Sequence, residues 1–443
     1  MESTSLHIEI VQVRQSRASK DYIEDLVRGF LIKLPMLTPG ATINNTAFED
    51  QTDALELKEH VQCITFCDAE HEADVSPRDA DLVFHVHMLD QYGVETDTMT
   101  DDTSGEEVSA ADVWSLPAAE FHGLWESLIY DTRLKEDTLR YVKTALELTD
   151  RGVNPLVVGW SRVVLLHGPP GTGKTSLCRA LAQKLSIRLG DRFSRARLLE
   201  INAHGLFSKW FSESGKLVAK LFERVREIAS DPRMLCIVLV DEVESLAHAR
   251  RAAMAGLEPS DALRAVNALL TQLDRLRRLP NALVLATSNL TTAVDVAFVD
   301  RADLKRRVGP PAARAAYEIL RGCCEELMAR GVVAPRDLLF GHRVLQGSGW
   351  ADSEHARPSL MLWEVAQAAS QASLSGRALR RLPFLALALH APQSSRESLN
   401  LVAFLKAMTA ALQRHLEDEA ALTADEPLTK PTQPSTGTIV NGH

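Results

Sequence analysis

The sequence of 443 residues is short of aromatic side chains, which make up 5% of it, and it carries no excess of positive charge. Its net charge of −10 and isoelectric point near 5.8 argue against a general electrostatic grip on nucleic-acid phosphates, although a local basic groove stays compatible with them. Cysteine is scarce, and Cys63, Cys67, Cys178, Cys236, Cys323 and Cys324 form no CxxC pair, so the spacing of a zinc site is missing. Cys178 and Cys236 fall inside apolar patterns and read as small hydrophobes, and Cys323–Cys324 in a helical run reads as structural. There is no signal-peptide pattern in "MESTSLHIEI" and no apolar run long enough to span a membrane, so the expectation is an intracellular, reduced chain with no membrane partner. No internal repeat is visible. What is present is ordinary for a soluble globular protein, 45% hydrophobic and 24% charged, and the length predicts two or three domains.

The first part alternates in strand fashion at "LHIEIVQV" (Leu6–Val13), "VQCITFCD" (Val61–Asp68) and "DLVFHVHML" (Asp81–Leu89), with "DYIEDLVRGFLIKL" reading as a helix between them. This predicts a small α/β module over 1–94. The acidic stretch that follows has few apolar residues beyond Met99 and Val108 and reads as a solvated linker over 95–112. From Val163 the rhythm changes. The apolar strands "VVLLH", "ARLLEIN", "LCIVLVDE" and "ALVLATSN" alternate with amphipathic helices, the pattern of a parallel sheet covered on both faces. The α/β region is assigned to 113–311, a helical region to 312–420 and a disordered Pro- and Thr-rich tail to 421–443.

"HGPPGTGKTSL" carries Gly168, Gly173, Lys174 and Thr175 in GxxxxGK[ST] spacing between an apolar strand and a helix, the setting of a P-loop. In that reading Gly168, Pro169, Pro170, Gly171, Thr172, Gly173, Lys174, Thr175 and Ser176 cradle the phosphates of ATP. Lys174 reaches the β- and γ-oxygens and Thr175 ligates Mg²⁺. "LCIVLVDEVESL" ends a strand in Asp241, a second candidate for the metal, and Glu242, a candidate base for the attacking water; Glu244 fits a solvated acidic helix start. Asn289, ending "ALVLATSNL", orients the water or senses the γ-phosphate, or simply caps a turn. His85 and His87 share one strand face; without a third ligand they read as ordinary satisfied or solvent-facing histidines.

In this order the pieces resemble the AAA+ ATPases. The stretches "LPAAEFHGLWESLIYD", "LLHGPPGTGKTSLCRALAQKLSIRL", "LFSKWFSESGKLV", "EPSDALRAVNALLTQLD", "VDVAFVDRAD" and "LSGRALRRLPFLA" are similar, more narrowly, to the pachytene checkpoint protein 2 family, also called thyroid-receptor-interactor 13. The likeness covers about Val113 to Leu389. It implies an α/β AAA+ P-loop ATPase with a helical lid and a small α/β N-terminal domain. It also implies a homohexameric ring that opens HORMA-domain proteins by pulling on them, some delivered by a comet-type adaptor. Action in spindle-checkpoint and meiotic chromosome-axis control, in nucleus and cytoplasm and on chromosomes and kinetochores, is implied with it. Among AAA+ proteins the other reading is a nucleic-acid motor or clamp loader, which the net acidity and the Trp–Phe pair disfavour; direct nucleic-acid binding is not expected. A nucleotide-switched scaffold is a third, disfavoured by the presence of Glu242.

The resemblance also bears on individual residues. Lys209, Trp210 and Phe211 match a basic–aromatic–hydrophobic pore loop, with Ser212 in place of its glycine. Flat aromatics can grip a threaded peptide of any sequence with few rotors to freeze; the alternative from residues alone is packing against a neighbouring helix. Arg250 and Arg251 are candidates for a second pore loop. Arg377 matches the sensor-2 arginine of the lid, whereas Arg380 and Arg381 read as surface residues. The two trans-acting arginines of many relatives align with Asp300 and Asp303 here. Arg301, one place out of register, is the nearest candidate, with Arg306 and Arg307 beyond it.

Overall fold

A computed structural model describes residues 5–48, 55–67, 74–100, 107–202, 214–247, 260–289, 295–391 and 399–424. The chain divides into two compact units, Met1–Pro311 and Ala312–His443.

The first unit begins with strands β1 (Ser5–Gln12), β2 (Thr42–Asn44), β3 (Val61–Cys67) and β4 (Asp81–His87), ordered β2-β3-β1-β4. β1 runs antiparallel to β3 and parallel to β4. Helix α1 (Lys20–Leu31), capped by the Ser19 hydroxyl on the Tyr22 N–H, lays Ile23, Val27, Phe30 and Leu31 on Leu6, Ile8 and Ile10 of β1. A short α2 (Leu55–His60) leads into β3. The period of two sends His7, Glu9 and Val11 to the opposite face of the sheet.

The stretch expected to be a solvated linker is not one. Strands β5 (Val94–Thr100) and β6 (Glu107–Leu116) pair antiparallel, and β6 continues antiparallel onto β8 (Arg195–Asn202) of the larger sheet. Residues of low hydropathy suffice there because β5 is the sheet edge, where apolar side chains would invite further pairing. The larger sheet has seven strands in the order β11-β7-β10-β9-β8-β6-β5, with β7 (Val163–His167), β9 (Met234–Asp241), β10 (Ala282–Ser288) and β11 (Leu304–Arg307). β11, β7, β10, β9 and β8 are mutually parallel.

Alternate residues of each central strand feed two cores. Cys236, Val238 and Val240 of β9 face Val218, Leu221 and Phe222 of α6 (Ser214–Ala229) and Val266, Leu269 and Leu273 of α7 (Ser260–Leu276). Leu235, Ile237 and Leu239 face Leu177, Leu181 and Leu185 of α5 (Lys174–Arg188) and Val142 of α4 (Leu134–Asp150), behind a one-turn α3 (Leu124–Ser127). This double burial is why the strands read as continuous apolar runs. The unit ends after a one-turn α8 (Val296–Val299) and β11.

The second unit is helical: α9 (Ala313–Ala329), α10 (His342–Gly347), α11 (Arg357–Gln371), α12 (Gly376–Leu385) and α13 (Leu401–Ala424). Tyr317, Leu320 and Cys324 of α9, Leu362 of α11 and Phe404, Leu405 and Met408 of α13 are buried in it. Cys324 is thus a core residue. α13 carries 421–424, and the rest of the expected tail lies outside the described residues. No helix among the described residues is long and apolar enough to cross a membrane.

Candidate active site

β7, β9 and β10 are parallel and adjacent, so their carboxyl ends deliver His167, Asp241 and Ser288 to one edge of the sheet, where open α/β sheets bind ligands. The chain leaves β7 through Gly168 at φ 142°, where a Cβ would stand 2.2 Å from the Val308 carbonyl oxygen. Only glycine fits that turn. Its N–H donates to Ser288 O at 3.1 Å, tying the loop to β10. Gly171 at φ 74° and Gly173 at φ 92° complete the reversal into α5. Lys174, buried, donates from Nζ to Gly168 O at 2.9 Å and Pro169 O at 2.7 Å, which sets the ammonium against the loop. Thr172 Oγ1 donates to Pro169 O at 2.9 Å. Burial, reinforced by the charges of Arg307 and Lys174, holds His167 below its ordinary range, so the imidazole behind the loop is neutral.

The hydroxyl of Thr175 donates to Asp241 at 3.0 Å from Oδ1 and 3.3 Å from Oδ2. Thr287 Oγ1 hydrogen-bonds Asp241 Oδ1 from the next strand. A hydroxyl and a carboxylate meeting at the start of a phosphate-binding helix form a hard oxygen donor set of the kind Mg²⁺ takes. The residues present therefore fit a magnesium nucleotide.

Glu242 has φ 58°, a left-handed conformation costing a non-glycine residue about 1–3 kcal/mol. Thr287 holds it there. Its hydroxyl accepts the Glu242 N–H at 3.3 Å, and its carbonyl accepts the Val243 N–H at 3.0 Å. The strained backbone breaks the strand immediately after Asp241. Such strain next to Asp241 and the phosphate loop points to function, and Glu242 stays the candidate to take a proton from a water.

Glu244 departs from the sequence reading. It is 8% exposed, not solvated, and its Oε1 accepts the Asn289 N–H at 3.1 Å. By accepting that N–H the carboxylate acts as a brace on Asn289, just past the end of β10. Thr287 and Tyr130 were not singled out from sequence. Thr287 was findable, since β10 neighbours β9 and Ala286 pairs with Val240, putting Thr287 beside Asp241. Tyr130 gave no such signal; its hydroxyl donates to Gly173 O at 3.4 Å, and with Leu128 it closes the space over Gly173.

Arg301 is engaged within its own chain. Its Nε and Nη2 fork onto Asp274 of α7 at 2.9 and 2.8 Å, and Nη1 donates to Ala297 O. Arg306 and Arg307 are exposed on the edge strand β11. Arg377 belongs to the helical unit, exposed in the first turn of α12 behind the Ser375 cap on Ala378 N–H. Lys209, Trp210, Phe211, Arg250 and Arg251 lie outside the described residues.

Three family descriptions match the chain: the TRIP13 N-terminal domain over residues 1–91, the ATPase family associated with various cellular activities (AAA) over 164–310, and the TRIP13-like AAA+ ATPase lid C-terminal domain over 312–416. Pachytene checkpoint protein 2 homologs of Rattus norvegicus and Homo sapiens are each 44% identical over 431 residues, covering 96% of both chains. The chain belongs to the pachytene checkpoint protein 2 (TRIP13) family of AAA+ ATPases. As a member of that family it is an ATP-hydrolysing enzyme. The solved structure of C. elegans PCH-2 has 34% identity and a TM-score of 0.71, covering 94% of this chain and all of that one. An E. coli MS115-1 HORMA:CdnC:Trip13 complex gives a chain with 18% identity and a TM-score of 0.50, covering 67% of this chain and 94% of that one, a likeness of fold.

Proposed function

We propose that this chain is an ATP-driven, hexameric protein remodeller that opens HORMA-domain proteins by pulling on them through a central pore. The observation that carries the chemical part is the meeting of Thr175 and Asp241 at the P-loop, with the strained Glu242 beside them. Family membership supports the remodelling part. So does the neighbour of similar fold from E. coli, whose solved complex contains a HORMA protein.

In the proposed cycle the loop from Gly168 to Ser176 receives the phosphates on backbone N–H groups at the start of α5. Lys174 turns from the Gly168 and Pro169 carbonyls to the β- and γ-oxygens. Thr175 and Asp241 would hold a Mg²⁺ ion, which would supply charge neutralisation to the phosphates, and Thr287 keeps Asp241 in place. Glu242 accepts the proton of the attacking water, and Asn289, braced by Glu244, orients that water. Arg377 from the lid, and a cation from the neighbouring subunit for which Arg301 is the candidate, stabilise the charge on the transferred phosphoryl group. Lys209, Trp210 and Phe211 grip the threaded segment. A comet-type adaptor presents some substrates to the N-terminal module. The sites of action are the nucleus and cytoplasm, on chromosomes and kinetochores, in spindle-checkpoint and meiotic chromosome-axis control.

The test is ATPase rate measured with and without a purified HORMA-domain protein and its adaptor, alongside the fraction of HORMA protein in its open form. Stimulated hydrolysis and ATP-dependent opening are the expected results. Hydrolysis that no HORMA protein alters, with no opening, contradicts the proposal.

A further inference from the structure

The outer face of the N-terminal sheet is not free. Glu9, at the centre of β1 and 6% exposed, points at the last two turns of α5. Its Oε2 lies 2.8 Å from Lys184 Nζ, and its Oε1 lies 3.0 Å from Arg188 Nη2. Lys184 is 2% exposed and also donates to Glu126 Oε1 at 2.8 Å and to Cys67 Sγ at 3.4 Å. Glu9, Cys67 and Glu126 gather ligand atoms within 4.8 Å of one another, as a metal site would, but the Lys184 ammonium already bonds to all three. Around the network His85 pairs with His7 at 3.0 Å, and His87 and His122 line the same small cavity of about 80 Å³.

Burial alone would push the Glu9 carboxyl up, yet the charges of Lys184 and Arg188 outweigh it and hold the group at about 2. The carboxylate is therefore ionised at any working pH. Buried ions of this kind contribute little net stability, but removing one partner strands the others, so they fix geometry strongly. A flexible tether would need none of them. The helix they clamp is the one whose first two residues are Lys174 and Thr175. It is 15 residues long, about 22 Å, and packed along its length by Leu177, Leu181 and Leu185, so a shift at one end reaches the other.

We propose that Glu9 is a positioning residue for ATP hydrolysis: by clamping Lys184 and Arg188 it sets the placement of Lys174 and Thr175, making the N-terminal module part of the hydrolytic machinery as well as a recruiting domain. This rests on the reading of Lys174, Thr175 and Glu242 given above.

The experiment uses the full chain. Nucleotide-binding sites are counted with a fluorescent ATP analogue, and kcat is expressed per site, so that loss of folded protein does not mimic a slower site. Glu9→Gln is expected to bind the analogue within about twofold of the parent affinity and to hydrolyse ATP about tenfold more slowly per site, because misplacement by a fraction of an ångström is felt mainly in the transition state. Lys184→Met leaves Glu9 its Arg188 partner and is expected to lose about threefold, a drop that decides the matter if Glu9→Gln does not fold. A kcat per site equal to the parent's in the folded variant overturns the proposal. Glu242→Gln is run beside them: normal hydrolysis there sinks the site reading, while a slow Glu242→Gln with a normal Glu9→Gln sinks the clamp alone.

Discussion

The fork between Arg301 and Asp274 makes the identity of the trans-acting cation testable. Both Asp274 oxygens are engaged, at 2.8 and 2.9 Å, but the side chains keep 25% and 43% of their exposure. The hydrogen bond to Asp274, opposed by partial burial, raises the already high affinity of the guanidinium for its proton, so the charge is permanent. Solvent screening limits such a pair to about 1 kcal/mol. If Arg301 serves the neighbouring subunit it must leave Asp274 in each cycle, and that opening is worth up to about a fivefold factor in rate. Asp274→Asn removes the hold while keeping the shape. Steady-state hydrolysis per nucleotide site should therefore rise by as much as about fivefold, whereas Arg301→Ala should slow it. Mixing Arg301→Ala with Lys174→Ala subunits should restore activity, since some intact sites then borrow an arginine from the other subunit type. A trans role for Arg301 is refuted if Asp274→Asn slows hydrolysis as far as Arg301→Ala does and mixing restores nothing. The pair would then be an internal brace, and Arg306 and Arg307 would be next in line.

Gly168→Ala should abolish nucleotide binding, because the new Cβ meets the Val308 carbonyl at 2.2 Å; parental affinity for a fluorescent ATP analogue would show the loop is not held as described. Trp210→Ala should leave nucleotide binding intact and stop substrate opening, while loss of its thermal transition would return Trp210 to the core. The N-terminal module should weaken in acid. Burial holds His85 at about 3 and His87 at about 4 against an ordinary 6.5, so the unfolded chain binds more protons below pH 6.5 and stability falls there. The slope is at most about 1.4 kcal/mol per pH unit for each histidine. Glu9, lowered to about 2 from 4.5, adds a loss between those values. Urea midpoints that rise between pH 7.5 and 5 would contradict this.

Most of the candidate phosphate site is legible in the sequence because its parts are local. The glycine spacing, the strand before it and the helix after it lie within one short stretch, and Asp241–Glu242 ends the next apolar strand but one in the parallel set. Features that depend on distant partners were not legible. Glu244 resembles any acidic helix start until the Asn289 N–H arrives 45 positions later. Lys184 and Arg188 look like the polar face of an amphipathic helix, and only the fold brings Glu9 onto them from 175 positions away in the case of Lys184. His85 and His87, read as satisfied or solvent-facing, are half-buried and neutral on the face that meets α5. The stretch over 95–112 misled for a different reason. An edge hairpin needs hydrogen-bonding backbone more than apolar side chains, so its composition imitates a linker. Because β5 pairs with β6 and Glu9 with Lys184 and Arg188, removing the module through β5 would take a strand from the sheet and the carboxylate from two buried cations, so detaching it is not the neutral operation that an acidic tether would allow.

In the proposed cycle Glu242 is the base at a P-loop site completed by Thr175 and Asp241. Glu242→Gln preserves size and the Thr287 hold on the backbone while removing the proton acceptor. Single-turnover hydrolysis of ATP by this full-length variant, with bound nucleotide measured in the same samples, tests it most directly. ATP should bind at parental affinity and be hydrolysed roughly 100-fold or more slowly. Hydrolysis at the parental rate would contradict it.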